Sequence, residues 1–79
     1  KQDTGFSLST LKSKKGRVEN LIFNKPTILF SQKGKWKIEM EDLSKEINFK
    51  DTLSVPLGVN INIEINESEV SYLNCVSSI

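Results

Sequence analysis

The sequence of 79 residues contains no histidine, and it has one cysteine, four glycines and two prolines. Imidazole is the commonest ligand of transition metals and the usual base of nucleophilic triads. Its absence excludes histidine-ligated Fe or Zn sites and Ser-His-Asp catalysis, so we predict no metal and no cofactor. One thiol, Cys75, cannot build a disulfide framework, which favours a cytoplasmic setting.

An excess of charge of one sign and long apolar runs are also missing. Lys and Arg total 11 against 10 Asp and Glu, and the net charge of +1 predicts neither nucleic acid nor an anionic membrane as a partner. No run approaches the ~18 apolar residues of a membrane-spanning helix. The length predicts a single domain, residues 1–79, in which residues 1–5 form a flexible tail. Because so short a chain has a thin core, we expect a homodimer.

What the sequence does contain is alternation of polar and apolar residues, which is typical of half-buried strands. The alternation is clearest over residues 35–40 and 59–65, and turn-forming residues separate all the candidate runs. The predicted strands cover residues 6–11, 17–23, 27–31, 35–40, 45–49, 52–55, 59–65 and 69–76. About eight short strands at this spacing predict an all-β sandwich or barrel.

One turn between these strands carries a recognisable motif. Asp51 is followed by four residues, then Pro56, one residue, Gly58, two residues and Ile61. Asp accepts backbone N–H bonds in tight turns, Pro fixes φ, and Gly adopts conformations that other residues resist. The segment resembles the second motif of the cupins, in which Lys50 stands where Gly is usual and Ile61 where the metal-binding His is usual.

A second pair of glycines, Gly16 and Gly34, resembles the ends of the first cupin motif. Counting inward from them gives three more metal-ligand positions of the family. The four positions hold Ile22, Asn24, Thr27 and Ile61, none of which is a histidine or a carboxylate. The resemblance therefore implies a small cupin-like double-stranded β-helix, or barrel, that has lost its metal site.

The function expected from this fold is a non-enzymatic module of one of two kinds. Either it binds a small apolar or weakly polar molecule by shape inside the barrel, or it dimerises through the strand over residues 6–11 or through a sheet face. The residues predicted to line the interior are Phe23, Asn24, Thr27, Trp36, Ile38, Val55 and Ile61, with Asn24 as the polar contact. Asp51, Pro56 and Gly58 are predicted to have a structural role in their turn.

Two alternatives remain open on the sequence. The first is a cupin-type enzyme, an isomerase or epimerase, a dioxygenase or a lyase, with an atypical site. No catalytic residue is predicted, however, because Cys75 has neither a histidine base nor a neighbouring cation. The second alternative is a sensory domain of a longer regulator. Two groups of basic residues lie within 12–17 and 33–37. Either would suit phosphate or another anionic ligand, but no aromatic residues interleave with them, so they are interpreted as charges that protect an exposed sheet face or edge from aggregation.

Overall fold

A computed structural model describes residues 5–79, and it contains six strands and no helix in that range. They are β1 (Phe6–Ile22), β2 (Thr27–Lys33), β3 (Trp36–Met40), β4 (Leu43–Ile47), β5 (Thr52–Val55) and β6 (Asn60–Ser78). The prediction of an all-β chain is confirmed. Within the described range, no helix has the length and apolarity needed to cross a membrane.

All six strands belong to one sheet, organised around the long strand β6. The order is β4-β3-β6-β2-β5, with β1 paired to the opposite edge of β6. The first part of β6 pairs with β3, and its last part pairs with β2, while β1 follows β6 along both parts. Because β6 has different partners along its length, the sheet curls into a half-barrel with an inner and an outer face.

Two segments that were predicted as turns lie inside strands, so the strands number six. Residues 12–16 are part of β1, and residues 66–68 are part of β6. Between the pairs Ser13–Ser71 and Lys15–Asn66, four residues of β6 lie opposite a single residue of β1. Such an irregularity bends a strand without reversing it, and it accommodates the same polar residues that form turns. The prediction of separate strands was wrong at these two places.

The core covers the inner face of the curled sheet. Ten apolar side chains there are at most 8% exposed: Leu29, Trp36, Ile38, Ile47, Val55, Ile61, Ile63, Ile65, Leu73 and Cys75. The alternation over residues 59–65 places three isoleucines of β6 in this set. At the chain start, the Gly5 carbonyl accepts a hydrogen bond from the Ile79 N–H at 3.4 Å. The remainder of the predicted tail, residues 1–4, lies outside the described residues.

The turn before β6 depends on the backbone conformation of Gly58. Gly58 has a φ of 78°, and its N–H donates to the Phe23 carbonyl at 2.9 Å. A Cβ built at Gly58 would meet no atom within 4 Å, so a side chain there would be opposed by the backbone conformation alone. In the preceding turn, the Asp51 carboxylate accepts from the Asn48 N–H at 2.9 Å.

Gly58→Val is therefore expected to lower the free energy of unfolding by about 2 kcal/mol, because a β-branched residue is strained at positive φ. Urea denaturation measures the difference. The adjacent Leu57, which is 59% exposed, provides the control, and Leu57→Val should stay within about 0.5 kcal/mol of the parent. Equal stability of the two variants would mean that the turn does not require glycine.

Candidate functional site

The predicted interior positions separate into three groups. Thr27, Trp36, Ile38, Val55 and Ile61 are buried. The other two predicted positions, which lie in the connection between β1 and β2, are less enclosed. Phe23 is half-buried and packs against the core, whereas Asn24 is exposed. The structure therefore brings five of the seven residues into one core and leaves the predicted polar contact outside it.

The space beside this core is small. A void of about 210 Å³ lies between β1 and the core, against Gly16, Val18, Trp36 and Ile63. Sites for small molecules usually measure about 300–1,000 Å³ and offer a few convergent polar groups. The indole N–H of Trp36 already donates to the Lys33 carbonyl at 3.1 Å. The interior is thus occupied by side chains whose polar atoms are paired.

The four positions that the motif resemblance assigns to metal ligands do not fit a metal ion. Ile61 is 1% exposed within the core, while Ile22 is 56% exposed at the end of β1. Asn24 is exposed, and the Thr27 hydroxyl donates to the Lys25 carbonyl at 2.9 Å. Across residues 5–79, no three Cys, Asp or Glu side chains lie close enough together to hold a metal. These residues offer no set of donors that would bind Fe, Zn or Mn.

A second apolar surface lies on the outer face of the sheet, where β1, β6 and β2 run side by side. Leu8 pairs with Val76, and Val76 pairs with Ile28, while the next residues along β6 and β2 point to the inner face. With its neighbours this row forms what we call the apolar outer patch: Phe6, Leu8, Ile28, Phe30 and Val76. Phe6 is 71% exposed, Leu8 61% and Ile28 49%. A depression of about 440 Å³ opens at one end of the patch, against Phe6, Ile28 and Val76.

Residues 6–11 were predicted as a candidate dimer strand, but Ile28, Phe30 and Val76 were not among the predicted site residues. A signal for them exists in β2, which is apolar on both faces: Leu29 points inward, and Ile28 and Phe30 point outward. A strand whose two faces are both covered by protein typically has a continuous run of apolar residues.

Polar side chains at one edge of the patch bond to each other. The Thr10 hydroxyl donates to Asn74 Oδ1 at 2.8 Å, and Asn74 Nδ2 donates to Gln32 Oε1 at 3.2 Å. Asn74 is only 5% exposed although it lies on the outer face. The chain of hydrogen bonds ties β1, β6 and β2 together beside the patch.

Comparison with known proteins identifies the fold. No family model and no curated protein matches the sequence. A cupin family protein with a double-stranded β-helix fold from Methanocaldococcus jannaschii superposes with a TM-score of 0.80 at 17% identity, over 92% of this chain and 69% of that one. The chain has a cupin fold.

Two further solved structures support the cupin fold. A cupin superfamily protein from Desulfitobacterium hafniense aligns with a TM-score of 0.79 at 16% identity, over 100% of this chain and 71% of that one. The cupin domain of Drosophila melanogaster CENP-C aligns with a TM-score of 0.81 at 20% identity, over 90% of this chain and 59% of that domain. The predicted resemblance to cupins is confirmed at the level of the fold.

The other half of the outer face of this cupin fold carries charges of alternating sign. Register places Arg17 of β1, Glu64 of β6, Lys37 of β3 and Glu46 of β4 in one row across the sheet. The Arg17 guanidinium lies 2.8 Å from the Glu39 carboxylate and 3.6 Å from that of Glu64. Opposite charges on neighbouring strands favour one register, although exposed pairs contribute little stability.

The pKa of Glu39 is lowered, above all by the hydrogen bond from Arg17, with smaller contributions from Asn62 and Lys37. A carboxylate with a lowered pKa stabilises the folded state at neutral pH, and this contribution is lost as the pH falls through that lowered value. We expect an NMR titration that follows the Glu39 carboxyl carbon to give a pKa lower than that of an ordinary glutamate. Arg17→Gln should return the pKa of Glu39 to the ordinary range, whereas Lys37→Gln should change it far less. Equal effects of the two substitutions would contradict the assignment to Arg17.

Proposed function

We propose that this cupin-fold chain is a non-enzymatic, metal-free cytoplasmic module that assembles as a homodimer. The observation that carries the proposal is the contrast between its two faces. The inner face is filled by its own side chains, whereas three large apolar residues of the outer patch remain at least 49% exposed. Exposed apolar surface gathered into one patch is typical of interaction sites, since scattered apolar residues are the norm elsewhere.

The filled interior favours assembly over the binding of a small molecule. A ligand in the barrel would have to displace buried side chains such as Ile38 and Ile61, each 1% exposed. Displacing well-packed side chains costs free energy that a small ligand has few groups to offset. Binding at the predicted interior residues is therefore the less favoured function.

The available nucleophile and the charged groups do not support catalysis. Cys75 is 8% exposed, and burial raises the pKa of its thiol, which disfavours the reactive thiolate. Arg17 and Glu39 are paired with each other on an exposed sheet face. An isomerase, dioxygenase or lyase needs a base or a metal in a pocket. The ionisable residues that line the void beside Trp36 are Lys12 and Arg17, and no carboxylate, thiol or histidine lies among them.

The mass in solution tests the proposed homodimer. Light scattering coupled to size exclusion, across about 1–100 µM protein, should give twice the chain mass of 8.9 kDa. A mass of one chain throughout this range would overturn the proposed function. The protein should carry no affinity tag, because a histidine tag would add metal ligands and contacts that the natural chain lacks.

The same tag-free protein tests the metal-free part of the proposal. We expect elemental analysis after desalting to find far less than one Fe, Zn, Ni or Mn per chain, because Ile22, Asn24, Thr27 and Ile61 provide no suitable donors. Apo protein incubated with each metal and desalted again serves as the control for metal lost in purification. Stoichiometric retention of any of the four metals would refute the prediction.

A further inference from the structure

We infer that the apolar outer patch is the dimer interface, and that a second copy of the chain docks on it face to face across a twofold axis. This inference rests on the proposed homodimer and adds where the two chains meet. A twofold interface presents the same patch from both chains, so the patch has to be compatible with itself. Its central row is Leu8–Val76–Ile28.

The area of the patch fits a dimer of standard size. If a fully exposed large apolar residue presents about 200 Å², the exposed fractions of Phe6 (71%), Leu8 (61%) and Ile28 (49%) amount to roughly 360 Å². The half-buried Phe30 and Val76 raise the apolar area to roughly 450 Å². A standard interface buries about 800 Å² per partner, of which somewhat more than half is apolar. The patch and a polar rim together meet that requirement.

The charge distribution favours a second copy over a charged partner. Register places Ser78 beside Phe6, Ser54 beside Ile28 and Thr52 beside Phe30, so hydroxyl groups surround the apolar row. The rows that contain Ile28 and Phe30 are uncharged from β1 to β5, and Phe6 pairs with the uncharged Ser78. The other half of the same face carries the row that contains Arg17 and Glu64. Two identical uncharged surfaces meet without repulsion between like charges, and interface cores are depleted of charge.

Polar side chains at both ends of the patch are already paired within the chain. Thr10, Asn74 and Gln32 already bond in series at its edge. Lys25, the cation at the other end, donates to the Ser78 carbonyl at 3.3 Å and lies at the rim. Because an unpaired buried donor or acceptor is costly, these internal bonds reduce the loss when water leaves the two ends of the patch.

Pairing through the free edge of β1 is less favoured. That edge includes Lys12, Lys14, Lys15 and Arg17 within residues 12–17. In an antiparallel pairing along the full strand, these cations would lie near their copies in the partner. Lysines on edge strands typically prevent such pairing. Edge pairing would also leave Ile28 and Val76 uncovered, since they lie on β2 and β6.

A pair of matched substitutions tests the inference. Ile28 and Leu43 are 49% and 46% exposed, and only Ile28 belongs to the patch. By symmetry Ile28→Lys brings two ammonium groups into the interface, so we expect the dimer dissociation constant to rise by at least about 30-fold. Leu43→Lys should leave it within about threefold of the parent. Sedimentation equilibrium gives both constants, and far-UV circular dichroism with thermal melting verifies that each variant is folded.

The outcomes separate the inference from the proposed function. A monomeric parent overturns both. If the parent is a dimer but Ile28→Lys changes its dissociation constant no more than Leu43→Lys does, the proposed homodimer stands. The assignment of the interface to the apolar outer patch is then overturned. Should Ile28→Lys fail to fold, Leu8→Lys replaces it, because Leu8 is 61% exposed on the same row. Loss of the dimer in folded Leu8→Lys supports the interface, and an unchanged dimer overturns it.

Discussion

Gly34→Ala is expected to lower the free energy of unfolding by about 3 kcal/mol and the melting temperature by roughly 15 °C. Gly34 lies between β2 and β3 with a φ of 94°. A Cβ at this position would come within 2.5 Å of the Cβ of Ser71 and closer still to its hydroxyl oxygen. Ser71 is 1% exposed on β6 and has no room to withdraw. The substitution therefore combines strain at positive φ with a steric clash.

The control and a second substitution separate these two causes. At Gly16 the nearest atom to an added Cβ is the Ser13 hydroxyl at 3.2 Å, and φ is not in the left-handed region, so Gly16→Ala should change stability by less than about 1 kcal/mol. Adding Ser71→Gly to Gly34→Ala removes the clash and leaves the strain. A double-mutant cycle by thermal or urea unfolding should then show that the double variant recovers part of the free energy of unfolding lost in Gly34→Ala. If the effects of the two substitutions on the free energy of unfolding were fully additive, the close approach of Gly34 to Ser71 would be contradicted.

Gly34 also illustrates what the sequence predicts and what it does not. Gly34 was identified, together with Gly16, as resembling an end of the first cupin motif, while the fold prediction depended on the spacing of the strands and on the turn that contains Asp51 and Gly58. The reason for the glycine lies in Ser71, which is 37 residues further along the chain and reaches Gly34 only because β6 crosses the sheet. Contacts of this kind depend on tertiary packing, and a periodicity of two residues carries no information about them.

The strand count differed from prediction for a similar reason. Residues 12–16 combine Lys, Ser and Gly, which are typical of both tight turns and bulges. Local sequence does not distinguish the two, because the choice depends on whether a partner strand continues alongside. Here β6 continues, and its pairing with β1 resumes at Lys15–Asn66. The result is one bent ribbon of two long strands where four short strands were predicted.

The sequence predicted the inner face of the sheet better than the outer face. Alternation was sufficient to assign Ile38 and Ile61 to the inner face, since every second residue of a strand shares a face. The same rule assigns Ile28 to the opposite face of β2, but it does not say whether that face meets water or protein. Only the register Leu8–Val76–Ile28 gathers residues from three strands into a patch. The inference of an interface therefore required the pairing of strands that are distant in sequence.

Ile61→Ala should lower the free energy of unfolding by about 3 kcal/mol, whereas Ile22→Ala should lower it by less than about 1 kcal/mol. The motif resemblance assigns both isoleucines to metal-ligand positions, but Ile61 is 1% exposed and Ile22 is 56% exposed. Removing three carbons from Ile61 leaves a cavity between β6 and its neighbours β1 and β3, where the residues paired with it are Leu21 and Met40. A close-packed core closes such a cavity only in part, so the loss exceeds that of the buried area alone.

Urea denaturation of the two variants and the parent measures this difference directly. The comparison decides whether Ile61 is part of a close-packed core, which is the premise for preferring assembly over ligand binding. If Ile61→Ala were as stable as Ile22→Ala, the interior would contain free space around Ile61. A small apolar molecule would then fit there without displacing a side chain, and the interior residues Trp36 and Ile38 would again be candidates for contacting it. A large loss at Ile61 alone supports the proposed assembly through the outer face of the sheet.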